Sequence, residues 1–422
     1  MQQSEQFGAC PADDCARVAD EAKASNRFPV TVQVKTSAGT WALSVHDSFE
    51  SAAAVWDELS AADPAMTPYQ HPRFLKAWYT LLGKHEGIQL RIVSARTEAG
   101  DAAFVWPLGL CNCFAMPSLG WLGGKHANYA MGVHSRSAAD LLKPKDWRAL
   151  MDAAGRASGA DVAVLHNQPE RFNGFVNPLI ALRTTSSASP CHTVRLQDDS
   201  EALLQRLRGR FSRKKMRKKL RKLENEHGEV RLVRALNPED CAQALAALRS
   251  HKHQLDIYRP DRLLFSRQDV IDFLSQAALT DPSDGDNGIE IFTLRAGDEI
   301  AATFGCAVGN GRAAGMFISV DAARFAHSSP GEILISKLLE HYIERGLDAI
   351  DFGVGAGEYK RRWCHDDEPL FDSVQAFTVR GQVLAGPLQR GILGLKNVIK
   401  RSPKLTQAIQ RMQTRFASGQ AA

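Results

Sequence analysis

Two hydrophobic rhythms alternate along the chain. VTVQVK (30–35), IQLRIVSAR (88–96) and DVAVLHNQ (161–168) place apolar residues at every second position or in short β-branched runs, which predicts strands. SFESAAAVWDEL (48–59), HPRFLKAWYTLL (71–82) and AADLLKPKDWRALMDAAGRA (138–157) space them at three and four, which predicts helices with one face on a core. DAAFVWPLGL (101–110) and MPSLGWLG (116–123) read as further strands. From residue 229 the pattern begins again. EVRLVRAL is a strand, PEDCAQALAALRSHKHQL and SRQDVIDFLSQAAL are helices, and residues 288–321 read as three strands with turns at AGDE and GNGR. A helix (PGEILISKLLEHYIERG), a strand (DAIDFG), a short helix (EYKRRW) and a strand (FDSVQAFTVRG) follow. The order of elements thus recurs without a visible sequence repeat. A length of 422 residues fits two domains, each with its own core.

Residues 102–124 hold no charge, a run long enough to cross a bilayer. Pro107, Gly109, Asn112, Pro117, Gly120, Gly123 and Gly124 interrupt it, which predicts buried strands and turns instead of one spanning helix. The N-terminal residues are polar and acidic, unlike a signal peptide, and the eight cysteines are scattered, so a cytoplasmic protein with reduced thiols is expected. Cys111 and Cys113 lack zinc-site spacing, His251 and His253 fall on different faces of a helix, and the acidic stretch at 281–288 lacks calcium-loop spacing, so no metal is expected.

A net charge of +5 conceals a segregation. Residues 206–222 hold eleven Lys or Arg and no acid, and residues 381–422 hold seven and no acid. Without these, 34 basic residues face 47 acidic ones, so the bulk of the protein is acidic. The first basic segment carries a stripe of Leu203, Leu207, Met216, Leu220 and Leu223 at helical spacing, interrupted near Gly209. Three readings stay open: a helix that packs its stripe and solvates its charges, a contact for the phosphates of a ligand or RNA, and a contact for an anionic membrane. The tail repeats the theme with Leu384, Leu388, Ile392, Leu395 and Ile399.

Four blocks carry a family resemblance: TPYQHPRFLKAW (67–78), FSRKKMRKKLRKLENEHGEV (211–230), SPGEILISKLLEHYIERG (329–346) and DFGVGAGEYKRRW (351–363). With the recurring element order, the chain resembles GNAT-type acyltransferases of the group named after the cellulose-biosynthesis protein CelD, which share a double-GNAT layout with the Fem peptidyltransferases. The resemblance implies an α/β (α+β mixed) fold of two tandem GNAT-like domains joined by a basic helix. The expected division is a flexible segment at 1–27, a first domain on the acceptor side at 28–200, the basic helix at 201–226, a second domain on the donor side at 227–381, and a basic tail at 382–422.

It further implies an acyl-CoA-dependent N- or O-acyltransferase in cell-surface polysaccharide biosynthesis. Acyl-CoA, as acetyl-CoA, would be a co-substrate and not a bound cofactor, and the acceptor a sugar or an amine. A polysaccharide synthase complex or the inner membrane surface is an expected partner; nucleic acid is not. The alternatives are a Fem-like transferase using aminoacyl-tRNA and an inactive partner of a synthase complex.

Ser329, Pro330 and Glu332 suit an N-cap, a first helical position and a capping box, and Gly331 keeps the first turn open. The resulting helix N-terminus suits a pyrophosphate. Gly353, Gly355 and Gly357 permit close approach of backbone to a ligand between splaying strands. Tyr359 can protonate a departing thiolate, and Lys360 can steady developing charge. Arg361 and Arg362 face phosphate or solvent, Trp363 reads as core, and Asp351 is either a general base or a cap of the glycine turn. In the first half, Tyr69 and Gln70, with Trp78 as core, border an acceptor cleft. The resemblance adds Asn128 and Tyr129, where related chains often carry Asp-Tyr.

Overall fold

The computed structural model describes residues 28–387, apart from 63, 114–115, 184, 197–198, 256–259, 280–287 and 356. The expectations for 1–27, for the tail beyond 387 and for the acidic stretch at 281–287 lie outside the described residues.

The first half opens with a hairpin of β1 (Val30–Thr36) and β2 (Gly39–His46). Ser48 caps helix α1 (Phe49–Ala61) through a hydrogen bond from the Ser51 N–H, and Pro72 opens α2 (Pro72–Trp78). Strands β3 (Gln89–Arg96), β4 (Ala102–Cys113) and β5 (Met116–Trp121) follow. The uncharged run at 102–124 is therefore largely an antiparallel pair of strands. No helix among the described residues is long and apolar enough to cross a membrane. The single helix expected over 138–157 is instead two. A short helix, Arg136–Asp140, stops before Pro144, and Pro144 opens α3 (Pro144–Ala157), because proline lacks the N–H that a helix interior needs. Strand β6 (Val162–Pro169) comes next.

The second half contains β7 (Cys191–Arg195), α4 (Ser200–His227), β8 (Val230–Arg234), α5 (Pro238–His253), α6 (Gln268–Ala278), β9 (Gly288–Ala296), β10 (Glu299–Gly309) and β11 (Arg312–Val320). It continues through α7 (Pro330–Glu344), β12 (Ala349–Val354), α8 (Glu358–Trp363) and β13 (Leu370–Ala376). The basic helix α4 is interrupted at Gly209, which has φ 65° and ψ 167°. Its apolar stripe packs as the spacing predicts: Leu203, Leu207 and Leu223 are buried, and Met216 and Leu220 are partly buried against the same core. Lys214, Lys215, Arg217, Lys218, Arg221 and Lys222 are exposed.

The described residues divide into two units, the first formed by residues 28–190 with 369–387 and the second by residues 191–368. In the first unit the strand order is β1-β2-β3-β4-β5-β6-β13, extended by Thr185–Ser186; in the second it is β8-β9-β10-β11-β12-β7, extended by Asp366–Glu368. Strand β13, read from sequence as the end of the second half, pairs antiparallel with β6 in the first unit. Strand β7, inside the first expected domain, pairs antiparallel with β12 in the second. Trp41, Trp106, Trp147 and Leu165 anchor the first core, and Phe304, Leu338 and Trp363 the second.

Candidate functional site

In the second unit, β11 and β12 run parallel but pair only from Arg312↔Ala349 to Ala314↔Asp351. Both strands then continue, to Val320 and Val354, without further pairing to each other. Asp351 sits where they part. It is fully buried, its Oδ1 accepts the Gly353 N–H at 3.0 Å, and its Oδ2 lies 3.9 Å from Arg312 Nη1. That guanidinium also holds Glu368 at 2.7 and 2.9 Å. Of the two roles open to Asp351, the geometry is that of a cap on the glycine turn. Gly353 and Gly355 have φ of 71° and 94°, which only glycine adopts without strain. Gly357, at φ −123°, is in ordinary extended backbone.

Lys360 is buried, and its Nζ donates to Gly353 O at 3.2 Å and Val354 O at 2.8 Å. The ammonium thus fastens the carbonyls of the same turn. Tyr359, half-buried, meets Phe352 edge-on at 5.9 Å between ring centroids. Trp363 is in the core, as its spacing predicts, and Arg361 is exposed.

The start of α7 differs from expectation. Ser329 has φ 51° and ψ 56°, in the left-handed region, whereas a serine N-cap uses extended backbone. No side-chain cap forms, and the expected capping box with Glu332 is absent. The Ser329 hydroxyl instead accepts from Lys219 Nζ at 2.5 Å, and Glu332 pairs with Arg362 Nη1 at 3.3 Å. Lys219 is thereby placed at the N-terminus of a 15-residue helix, at Ser329, Pro330 and Gly331. The basic run flagged the segment, but nothing in its sequence separates Lys219 from its ten neighbours.

In the first unit the four residues expected on the acceptor side come together. Asn128 Nδ2 donates to Tyr69 Oη at 3.0 Å, Tyr69 and Tyr129 meet edge-on at 5.3 Å, and Gln70 Oε1 accepts from Thr67 Oγ1 and the Met131 N–H. All four are buried, so they form an internal network and not an open wall. Trp78 is core, with its Nε1 donating to His126 Nδ1 at 3.1 Å.

Strands β5 and β6 also run parallel and pair at only two positions, Ser118↔Val162 and Leu119↔Ala163. Past them lies a pocket of 20 Å³ lined by Trp121, Tyr129, Val164, His166 and Asn167. His166 Nδ1 is 3.7 Å from Asp372 Oδ2. Asp372 is buried, which alone would raise its pKa; hydrogen bonds and attraction from His166, the Ser187 hydroxyl and the Asn167 N–H outweigh this and lower it. Sequence reading missed His166 and Asp372, because they are 206 positions apart in the chain and meet only through the β6–β13 pairing.

The corresponding helix of the first unit, α3, is closed differently. Asp146 accepts the Lys143 N–H at 2.9 Å, the Ser37 N–H at 3.1 Å and the Ser37 hydroxyl at 2.5 Å. Burial would raise this carboxyl, but the Ser37 and Lys143 hydrogen bonds hold it below its usual value.

Residues 210–361 match the sequence family described as an acetyltransferase (GNAT) domain. No curated protein sequence is significantly similar to the chain. The crystal structure of FemX is similar over 79% of this chain and 98% of its own, with 11% identity and a TM-score of 0.52. A tandem GNAT protein from the clavulanic acid biosynthesis pathway, solved without AcCoA, matches 80% of this chain and 99% of its own at 12% identity and a TM-score of 0.42. The C-terminal domain of a putative lysylphosphatidylglycerol synthetase from Agrobacterium fabrum matches 79% and 97% at 13% identity and a TM-score of 0.43. At such identities the likeness is one of fold. The chain is a mixed α/β protein whose fold is similar to that of FemX, and its residues 210–361 match the acetyltransferase (GNAT) domain family.

Proposed function

We propose that this protein transfers an acyl group from acyl-CoA to an amine or hydroxyl acceptor. The observation that carries this reading is Lys219 beside Ser329 at the start of α7, next to the parting of β11 and β12. A helix N-terminus favours anions, and a lysine 2.5 Å from its first residue adds a full positive charge, a combination suited to a pyrophosphate. Glu332, which would repel phosphate, is offset by Arg362.

On this reading Ser329, Pro330 and Gly331 receive the pyrophosphate, and exposed Arg361 is available to the outer phosphate. Gly353 and Gly355 bring backbone close to the thioester. The acceptor attacks the thioester carbonyl, a C–N or C–O bond forms, the C–S bond breaks, Tyr359 gives its proton to the departing thiolate, and the proton lost by the acceptor passes through water and restores the phenol. Asp351 and Lys360 act by holding the glycine turn in place. The service in polysaccharide assembly rests on the resemblance to the CelD group.

A second reading, transfer of an aminoacyl group from tRNA, is favoured by the exposed cations of α4. Calorimetric titration with acetyl-CoA, longer acyl-CoAs and tRNA separates the two. Acyl-CoA binding is expected; salt-sensitive tRNA binding without it would select the second reading. With a working acceptor, Tyr359→Phe should keep acyl-CoA affinity and lose at least about tenfold in rate, the weak end of general-acid effects. Wild-type turnover would make the phenol structural.

A further inference from the structure

The basic helix α4 is folded back on itself at Gly209. Glu201 and Arg217 stand 16 positions apart, about 24 Å in a straight helix, yet Arg217 Nη2 lies 3.3 Å from Glu201 Oε1. Gly209, at φ 65° and ψ 167°, makes the bend, a backbone conformation open to glycine. The two arms of α4 and helix α7 border an open cavity of 260 Å³ within the second unit. Leu204 from the first arm, Met216 and Leu220 from the second, and Ile333 from α7 form its apolar wall. Ser336, Lys337 and Glu340 of α7 form a polar edge.

That edge holds groups that the fold leaves unused. Ser336 is 6% exposed, and its hydroxyl has no hydrogen-bond partner among the described residues. Lys337 and Glu340 form no hydrogen bond or ion pair among them either, although the Lys337 charge acts on Glu340. A buried hydroxyl without a partner is costly, so one that lines a cavity marks a place for a ligand atom.

The position of the cavity says which part of a ligand it meets. Leu220 adjoins Lys219, and Ile333 lies about 5 Å along α7 from Pro330, so the cavity begins one helical turn from the place where Lys219 meets Ser329. In coenzyme A a single ribose separates the pyrophosphate from the base. A pyrophosphate at Ser329–Gly331 therefore has its base within reach of this cavity. The volume agrees: 260 Å³ falls below the ~300–1,000 Å³ that takes a whole drug-sized ligand, and suits one ring system of a larger molecule.

The chemistry of the lining narrows the occupant further. An alkyl chain would bury Ser336 with nothing to bond, and an anion would bring negative charge toward Glu340. A flat heteroaromatic ring meets both demands. Its faces lie against apolar side chains, Met216 adds a sulfur that packs well on aromatic rings, and its edge offers acceptors to Ser336 and Lys337 and an amino donor to Glu340.

We propose that this cavity receives the adenine ring of the acyl donor, between the arms of α4 and the Ile333–Glu340 face of α7. The proposal rests on the acyl-CoA reading and deepens it: α4 binds the donor through an apolar slot as well as through Lys219, and its bend at Gly209 builds that slot.

The test follows the Met216 methyl group by ¹³C NMR, assigned with Met216→Leu, beside calorimetry on the full chain. Coenzyme A and ADP should each move this resonance, and 4′-phosphopantetheine, which lacks the adenosine end, should not. Ser336→Trp, whose indole would fill the cavity, should weaken coenzyme A at least about tenfold with the thermal transition retained, the order expected for one buried ring. If that variant fails to fold, the wild-type methyl response decides by itself. Coenzyme A binding with a silent methyl, or an equal methyl response to 4′-phosphopantetheine, overturns the adenine site and leaves the acyl-CoA reading standing. No coenzyme A binding and a silent methyl toward ADP overturn both. A methyl response to ADP without coenzyme A binding removes the acyl-CoA reading and shows a nucleotide site of another kind.

Discussion

The two units solve the end of a helix in opposite ways. In the first, α3 begins against Asp146, a carboxylate of its own chain that takes three hydrogen bonds, one of them from the N-terminal backbone at Lys143. The positive end of that helix is already neutralised. In the second, Ser329 is turned into the left-handed region, forms no cap, and faces Lys219. That N-terminus also carries an acid in its first turn, Glu332, but Glu332 pairs with Arg362 instead of closing the helix end, and the start of the helix gains a cation. The same pair of parting parallel strands therefore lies beside two different electrostatic surroundings, one suited to an anionic donor and one not. The strand ends differ to match. Gly353 and Gly355 supply left-handed backbone in the second unit, whereas Asn167 supplies it in the first, where it also holds Asp372.

The contrast is most directly broken at Gly331. A Cβ there would lie 3.1 Å from Val320 Cγ2, so a small side chain is nearly accommodated, while a carboxylate would oppose phosphate. Gly331→Glu is expected to abolish coenzyme A binding with the thermal transition retained; unchanged affinity in a folded variant would remove the pyrophosphate from α7. Lys219→Met should weaken coenzyme A about tenfold, the lower end for a hydrogen bond to a charged group, because the lysine is partly exposed. If Lys219 acts only on Ser329, calorimetry will show no change. The smallest effect belongs to the first unit. Asp146→Ala should cost about 1–2 kcal/mol of stability, as lost caps do, and leave coenzyme A affinity alone. A loss of coenzyme A binding there would mean that the two helix ends are not functionally distinct.

Much of this was legible in the sequence for local reasons. Period and punctuation placed most of the helices and strands, though not β2 or β7, and with them the break near Gly209, the core position of Trp363 and the stripe of α4, because each depends on neighbours a few residues away. The break at Pro144 was equally local, though periodicity alone ran through it. Asn128 and Tyr129 were singled out by the family resemblance and Tyr69 apart from them, and only the structure shows that the three touch.

Other features were decided by the tertiary structure. Strands β7 and β13 carry no local mark of the sheet they join, and only hydrogen-bonding partners far away in the chain assign each to its sheet. Ser329 has the residue type and spacing of a capping box, yet its backbone angle is set by the turn after β11, which frees its hydroxyl for Lys219. Eleven cations in the basic run are equivalent by composition, and the packing of Leu220 and Leu223 fixes which one reaches α7. His166 and Asp372 could not be paired in advance for the same reason: local sequence sets which backbone each residue adopts, while the long-range register sets which side chains meet.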